Sequence, residues 1–276
     1  MLNCSVSPFR SAALPLLLCA LACGGSEEPG PAPDSGASSA APAAPAPAAA
    51  VTFEPRSVEK KDDPSSVSFS YPEITAAPSE ALKTALTQAI HDFLTGPTGE
   101  GKKAATPEAA ADEFLADARS TRAENPADAL AWSLSRTAEI AYQDPKVVSL
   151  RLSEDVFQGG AHGLTTTHYA SFDPATGRQL GLADLVTPEG EARLVEIGER
   201  ELRKVHEVPS GQSLADAGFT FEGGKFVLSK ELAVLADGLI FYYNPYEIGP
   251  YAMGPTEITI PRSELAPIAK PGGPLN

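Results

Sequence analysis

The chain has 276 residues, with 21 Lys and Arg against 36 Asp and Glu and a formal net charge of −15. That balance argues against nucleic-acid binding, which needs surplus cations to neutralise phosphates, and disfavours a naked anionic lipid surface. Three cysteines are too few for a disulfide scaffold or a Cys-rich zinc site.

A single cation, Arg10, precedes residues 11–22, which are apolar or small throughout. That run is too short to cross a bilayer, which takes about 20 residues, and instead reads as an export signal. Ala20-Leu21-Ala22-Cys23-Gly24-Gly25 resembles a bacterial lipobox, with Ala20 where leucine is usual. Cys23 is the expected lipidation site, and an ordinary secretory signal with a chance cysteine is the alternative. Residues 24–50 are Ala, Gly, Ser or Pro at 24 of 27 positions, with no aromatic or branched aliphatic residue. Such a stretch cannot bury enough apolar surface to offset its ordering entropy, and its six prolines make it a semi-stiff spacer. Cys4 and Cys19 leave with the signal, so the remainder carries no thiol for catalysis or metal binding.

Residues 51–276 are expected to form one folded unit of two parts, a smaller module over 51–130 and a larger one over 131–276. Residues 51–53 and 66–71 read as strands, with Val67, Phe69 and Tyr71 alternating with serines. Pro72 and Pro78 are expected to bracket a turn. Ser79 caps a helix over 80–94, with Leu82, Leu86, Ile90 and Phe93 on one stripe. Thr106-Pro107-Glu108 starts a second helix running to about Glu124, with Phe114 and Leu115 inward.

From Ala131 the period changes to two, through Trp132, Leu134 and Ile140 into strands over 147–157 and 163–172. Residues 173–178 form a tight turn, and Thr187-Pro188-Glu189 starts a helix to about His206 with Leu194, Ile197, Leu202 and Val205 inward. Short strands are expected over 225–228, 232–235, 239–243 and 256–260. Strand-rich stretches interrupted by helices point to an α+β fold of mixed or antiparallel sheets with packed helices.

Gly159-Gly160-Ala161-His162-Gly163 sets one histidine among three glycines, which admit positive φ and close backbone approach. His162 then serves as a base or a ligand contact, or the segment is a tight turn with His162 bonded to backbone. His162 and His168 stand about 20 Å apart on an extended strand, too far to share a metal ion. No metal site or cofactor is expected. Serine-hydrolase motifs are absent. Asp173 and Asp184 sit where turns and helix starts want acids. Phe241, Tyr242, Tyr243, Tyr246 and Tyr251 crowd one stretch that ends in a Gly-Pro loop. Tyrosines on loops make rigid, amphipathic recognition surfaces, and tyrosines on a core strand bury instead.

These motifs fall in a particular order. Phe157-x-Gly159-Gly160-Ala161-His162-Gly163 comes first, then Phe172-Asp173-x-x-Thr176-Gly177 leading to Leu180-x-x-x-Asp184-Leu185. Leu239-x-Phe241-x-Tyr243-x-x-Tyr246-Glu247-Ile248-Gly249-Pro250-Tyr251-Ala252-x-Gly254 closes the series. The order resembles the extracellular domain shared by lysozyme-sensing anti-sigma factors of the RsiV type and peptidoglycan deacetylases of the PdaC type. Ser66-Val67-Ser68-Phe69-Ser70-Tyr71-Pro72 resembles the start of the smaller module that accompanies it. The resemblance covers most of residues 51–276 and is most specific over 150–260.

It implies a two-part α+β fold in the cell envelope, with lysozyme as ligand in the RsiV branch. The catalytic metal site of PdaC belongs to a separate domain, and the sigma-binding segment and transmembrane helix of RsiV have no counterpart here. A ligand-binding envelope module is what carries over. Removing residues 1–22 takes away only Arg10, leaving 20 cations against 36 anions, a net −16 that suits cationic partners such as lysozyme-like muramidases.

The expectation is a lipid-anchored, non-enzymatic binding protein of the bacterial envelope. It is held to a membrane through Cys23, in the outer membrane if the cell has two, because Gly24 and not Asp follows the cysteine. Candidate binding residues are Gly159, Gly160, His162, Tyr243, Tyr246, Glu247 and Tyr251. The alternatives are an envelope hydrolase pairing His162 with Asp173 or Glu247, and a structural envelope module.

Overall fold

The computed structural model describes residues 50–98, 101–125 and 130–276. The expected signal peptide, Cys23 and the tether up to residue 49 lie outside the described residues. No helix among the described residues is long and apolar enough to cross a membrane.

Six strands form the larger sheet in chain order: β1 (Thr52–Asp62), β2 (Ser65–Ala76), β3 (Ser133–Asp144), β4 (Val147–Phe157), β5 (Leu164–Phe172) and β6 (Gln179–Leu180). β2 and β3 pair in parallel and every other neighbour is antiparallel. The parallel step is spanned by α1 (Glu80–Thr95) and α2 (Pro107–Glu124). The expected division at residue 130 therefore cuts one continuous sheet, with β2 before it hydrogen-bonded to β3 after it.

The helices start where local chemistry places them. The hydroxyls of Ser79 and Thr106 accept the N–H of Leu82 and Ala109, each about 3.1 Å away, satisfying amides that have no partner within the helix. α1 buries Leu82, Leu86, Ile90 and Leu94, and α2 buries Ala110, Ala111, Phe114, Leu115 and Ala118. Leu94 takes the inward place expected of Phe93, which stays half-buried. Both helices cover one face of the sheet, against Val67, Phe69, Leu134, Val148, Leu150 and Leu152.

A second sheet holds β7 (Glu231–Val234), β8 (Gly238–Tyr243) and β9 (Thr256–Pro261), all antiparallel. Between the sheets come the single-turn α3 (Leu182–Leu185) and the long α4 (Pro188–Val205), and α5 (Arg262–Leu265) follows β9. All six residues of β8 are buried. Leu239, Phe241 and Tyr243 face the core under α4, and Ile240 and Tyr242 face Tyr169 of β5 and Ala233. A strand covered on both faces reads as an unbroken apolar run, as this one does.

The two sheets join through serine hydroxyls on β4 and β5 that meet β7. Ser149 and Ser171 share a hydrogen bond of 2.8 Å, Ser149 donates to the Val234 carbonyl, and the Val234 N–H donates to Ser171. Along the free edge of β5, Glu231 accepts the Tyr169 N–H and Asn244 takes both backbone groups of Thr167. Side chains thus cover an edge that would otherwise invite pairing with another chain.

The α+β class holds, and several elements differ from expectation. β1 extends far beyond residues 51–53, because a strand with only Val58 buried carries no apolar period to read. Pro72 lies inside β2, opposite Pro55, beyond the stretch where β2 also pairs with β3. Pairing on one side only leaves room for a residue without an N–H. Residues 225–228 are not a strand. They pack across α4 at Gly198, where an added Cβ would come within 2.8 Å of Leu228 and 3.0 Å of Phe226. Val205 is 52% exposed, since His206 takes the inward place at the end of α4. The His206 Nε2 lies 2.8 Å from the Thr256 hydroxyl, and its ring meets Phe219 edge-on at 5.0 Å.

Candidate binding site

The loop from β4 to β5 and the loop after β8 meet on the surface. Gly159 and Gly160 take φ of +95° and +90°, turning the chain so that His162 projects into solvent just before β5. The His162 ring stacks on Tyr251 at a centroid distance of 3.7 Å and 13° between planes. The Gly163 carbonyl accepts from both His162 Nδ1, at 2.8 Å, and the Tyr251 hydroxyl, at 3.0 Å. A carbonyl can only accept, so Nδ1 carries a hydrogen; Nε2, which is an acceptor when the ring is neutral, lies 3.4 Å from the Tyr246 hydroxyl. Tyr246 completes the group at 5.4 Å from Tyr251, and Leu130, 47% exposed, lies beside Gly159.

Tyr246 is held in an uncommon backbone conformation. Asn244-Pro245-Tyr246-Glu247 is a turn closed by the Glu247 N–H donating to the Asn244 carbonyl at 3.1 Å, with Tyr246 at φ +71°. Proline second and positive φ third is the type II pattern, whose third position favours glycine. A larger residue there costs about 1–2 kcal/mol. The Tyr246 side chain offsets little of this by burial, being 57% exposed.

The other candidates separate from this group. Tyr243 is 1% exposed, its hydroxyl donates to the Val227 carbonyl at 2.8 Å, and burial pushes its phenol well above the ordinary range. Glu247 accepts from the Asn244 N–H at 2.9 Å and so braces the turn; the Ser229 hydroxyl lies 3.3 Å away, with its hydrogen directed to the Tyr242 carbonyl at 2.6 Å. Asp173 accepts from the N–H groups of Ala175 and Thr176 in its own turn. Neither acid is hydrogen-bonded to His162. The reading from the sequence missed Asn244, Glu231 and Leu130. Only Asn244 carried a local signal, as the first residue of an Asn-Pro turn. No cluster of three potential metal ligands occurs among the described residues.

Two family profiles match the chain: Deacetylase PdaC over residues 58–165 and a protein of unknown function, DUF3298, over residues 183–263. Among curated proteins, immunogenic protein MPT64 of Mycobacterium tuberculosis and immunogenic protein MPB64 of Mycobacterium bovis are each 30% identical over 157 residues, 56% of this chain. The chain spans 65% of the length of these relatives. A DUF3298-family structure from Bacteroides fragilis superposes with a TM-score of 0.67 at 21% identity, covering 82% of this chain and 96% of that one. Another from Pseudomonas aeruginosa gives 0.63 at 19%, covering 81% and 96%. At such identities the likeness speaks for the fold, the same α+β arrangement described above. The chain carries a domain of the PdaC/DUF3298 type, a family of unknown function.

Proposed function

We propose that the chain is a non-catalytic binding protein of the cell envelope, anchored through lipid on Cys23, whose Tyr246–His162–Tyr251 surface receives a cationic protein such as a lysozyme-like muramidase. The observation that carries this reading is Tyr246, which keeps an aromatic ring in solvent at a backbone position that favours glycine. Strained residues persist where the surroundings enforce them and concentrate at functional sites. Exposed tyrosines clustered with a histidine supply rigid contact area at low entropic cost. The net charge of −15 favours encounter with a cationic partner.

Binding fits His162 better than catalysis does. A histidine base is ordinarily oriented by an acid, and the ring nitrogens of His162 meet a backbone carbonyl and a phenol. A hydrolase reading predicts that His162→Ala abolishes an activity, and the binding reading predicts that it weakens affinity alone. Calorimetric titration with lysozyme at low and moderate salt tests the partner. Affinity should fall as salt rises, and no heat at micromolar protein would overturn the muramidase reading. Cys23→Ala should move the protein from the membrane fraction to the supernatant. Continued sedimentation with membranes would contradict the lipid anchor.

A further inference from the structure

We infer that a second site, separate from the aromatic surface, lies between α1, α2 and β3 and takes a small zwitterion, a free amino acid or short peptide whose carboxylate docks on Arg136. Arg136 is 2% exposed, the bulkiest of the fully buried side chains. Its Nε donates to Glu154 Oε2 at 2.7 Å and its Nη1 to the Leu94 carbonyl at 2.8 Å. Leu94 lies in the last turn of α1, where the helix dipole favours a cation. The rings of Phe69 and Phe93 flank the guanidinium at 5.6 and 5.9 Å. Four sides are thus fixed, and the remaining nitrogen, Nη2, makes no hydrogen bond among the described residues. That nitrogen is not sealed in without a partner and keeps access to solvent, so a ligand carboxylate can reach its free N–H groups.

Arg136 borders a cavity of about 380 Å³. Its size falls within the common range of small-molecule sites, about 300–1,000 Å³. Buried Phe114 and Leu134 supply apolar wall beside Arg136. Lys102 adds a second cation, and exposed Glu113 and Asp117, one turn apart on α2, add two anions. Glu154 already balances the charge of Arg136, so Lys102 is the cation left to offset an incoming carboxylate. A simple anion would meet repulsion from Glu113 and Asp117. A simple cation would meet Lys102 and would leave the free N–H groups of Arg136 Nη2 without an acceptor. A molecule with a carboxylate at one end, an ammonium at the other and a short apolar body between them complements all of these groups.

Alanyl-alanine titrated into the full chain, followed by calorimetry, tests this. The dipeptide should bind at millimolar concentration or below, and N-acetylation or C-terminal amidation should each weaken it by about tenfold, the equivalent of 1.4 kcal/mol. Lys102→Ala and Asp117→Ala alter exposed positions and should each weaken binding about two- to fivefold while leaving the melting temperature unchanged. Three results would overturn the inference: no binding at 10 mM dipeptide, equal binding of the blocked peptides, or acetate alone binding as well as the dipeptide.

Discussion

The side-chain amide of Asn244 closes on both backbone polar groups of Thr167. The Thr167 N–H donates to Asn244 Oδ1 at 2.7 Å, and Asn244 Nδ2 donates to the Thr167 carbonyl at 3.0 Å. One amide thereby imitates a neighbouring strand along the free edge of β5. It also ties the turn that carries Tyr246 to the strand that begins beside His162.

Asn244→Asp separates the two halves of this bridge. A carboxylate still accepts from the Thr167 N–H but cannot donate to the carbonyl, so a part-buried acceptor is left facing a negative charge. The expected loss is about 1–3 kcal/mol of unfolding free energy, read by urea titration. An unchanged midpoint would show that the amide does not hold the edge.

A second link at the same edge depends on pH. His168 Nδ1 lies 2.9 Å from Glu231 Oε1, and the other Glu231 oxygen accepts the Tyr169 N–H at 3.0 Å. The bond to Glu231 raises the imidazole pKa above its ordinary 6.5 against partial burial, with added pull from the charges of Glu231, Glu154 and Glu247. A raised folded-state pKa contributes stability that is fully present below pH 6.5 and is lost as pH rises through the folded value. Burial lowers the pKa of His206, which acts in the opposite sense. The comparison is therefore between wild type and His168→Gln across pH 5 to 9. The variant should be less stable at low pH, and the gap should close as pH rises. A gap independent of pH would contradict this assignment.

On the acid side Asp184 is the carboxylate with a shift of known size. Its carboxylate accepts both terminal nitrogens of Arg178, at 2.9 and 2.8 Å, and the Gly181 N–H at 2.9 Å. The Arg178 bonds first, then the Gly181 N–H, lower its pKa from 3.8 to about 2. A depressed value contributes stability above pH 3.8 that disappears as pH falls through about 2. Asp184→Asn should lower the denaturation midpoint at neutral pH and converge with wild type near pH 2. Parallel curves down to pH 2 would show that the carboxylate's charge is not the source.

Local chemistry was legible in the chain, and long-range placement was not. Ser79, Thr106 and Thr187 mark their helix starts because a cap hydroxyl, an early acid and, at two of them, a proline in the first turn lie within a few residues of one another. β4 and β8 show in the apolar pattern because their residues are buried on fixed faces. β1 does not show, since its pairing with β2 leaves most of its side chains in water. Residues 225–228 have the composition of a strand, but contact with α4 decides their path. The meeting of His162, Tyr246 and Tyr251 crosses more than 80 positions of sequence, and nothing local foretells it. The positive φ of Tyr246 hides because the residue in the third place of that turn is not glycine.

Tyr246→Gly tests the central claim most directly, because backbone relief and loss of the ring pull in opposite directions for stability and for binding. If Tyr246 is retained for recognition, the variant unfolds at the same free energy as wild type or up to about 1 kcal/mol higher. Its affinity for lysozyme should fall at least about tenfold, a loss of about 1.4 kcal/mol or more. A variant that binds as wild type does, or that loses stability while keeping its affinity, would contradict the assignment of this surface as the binding site.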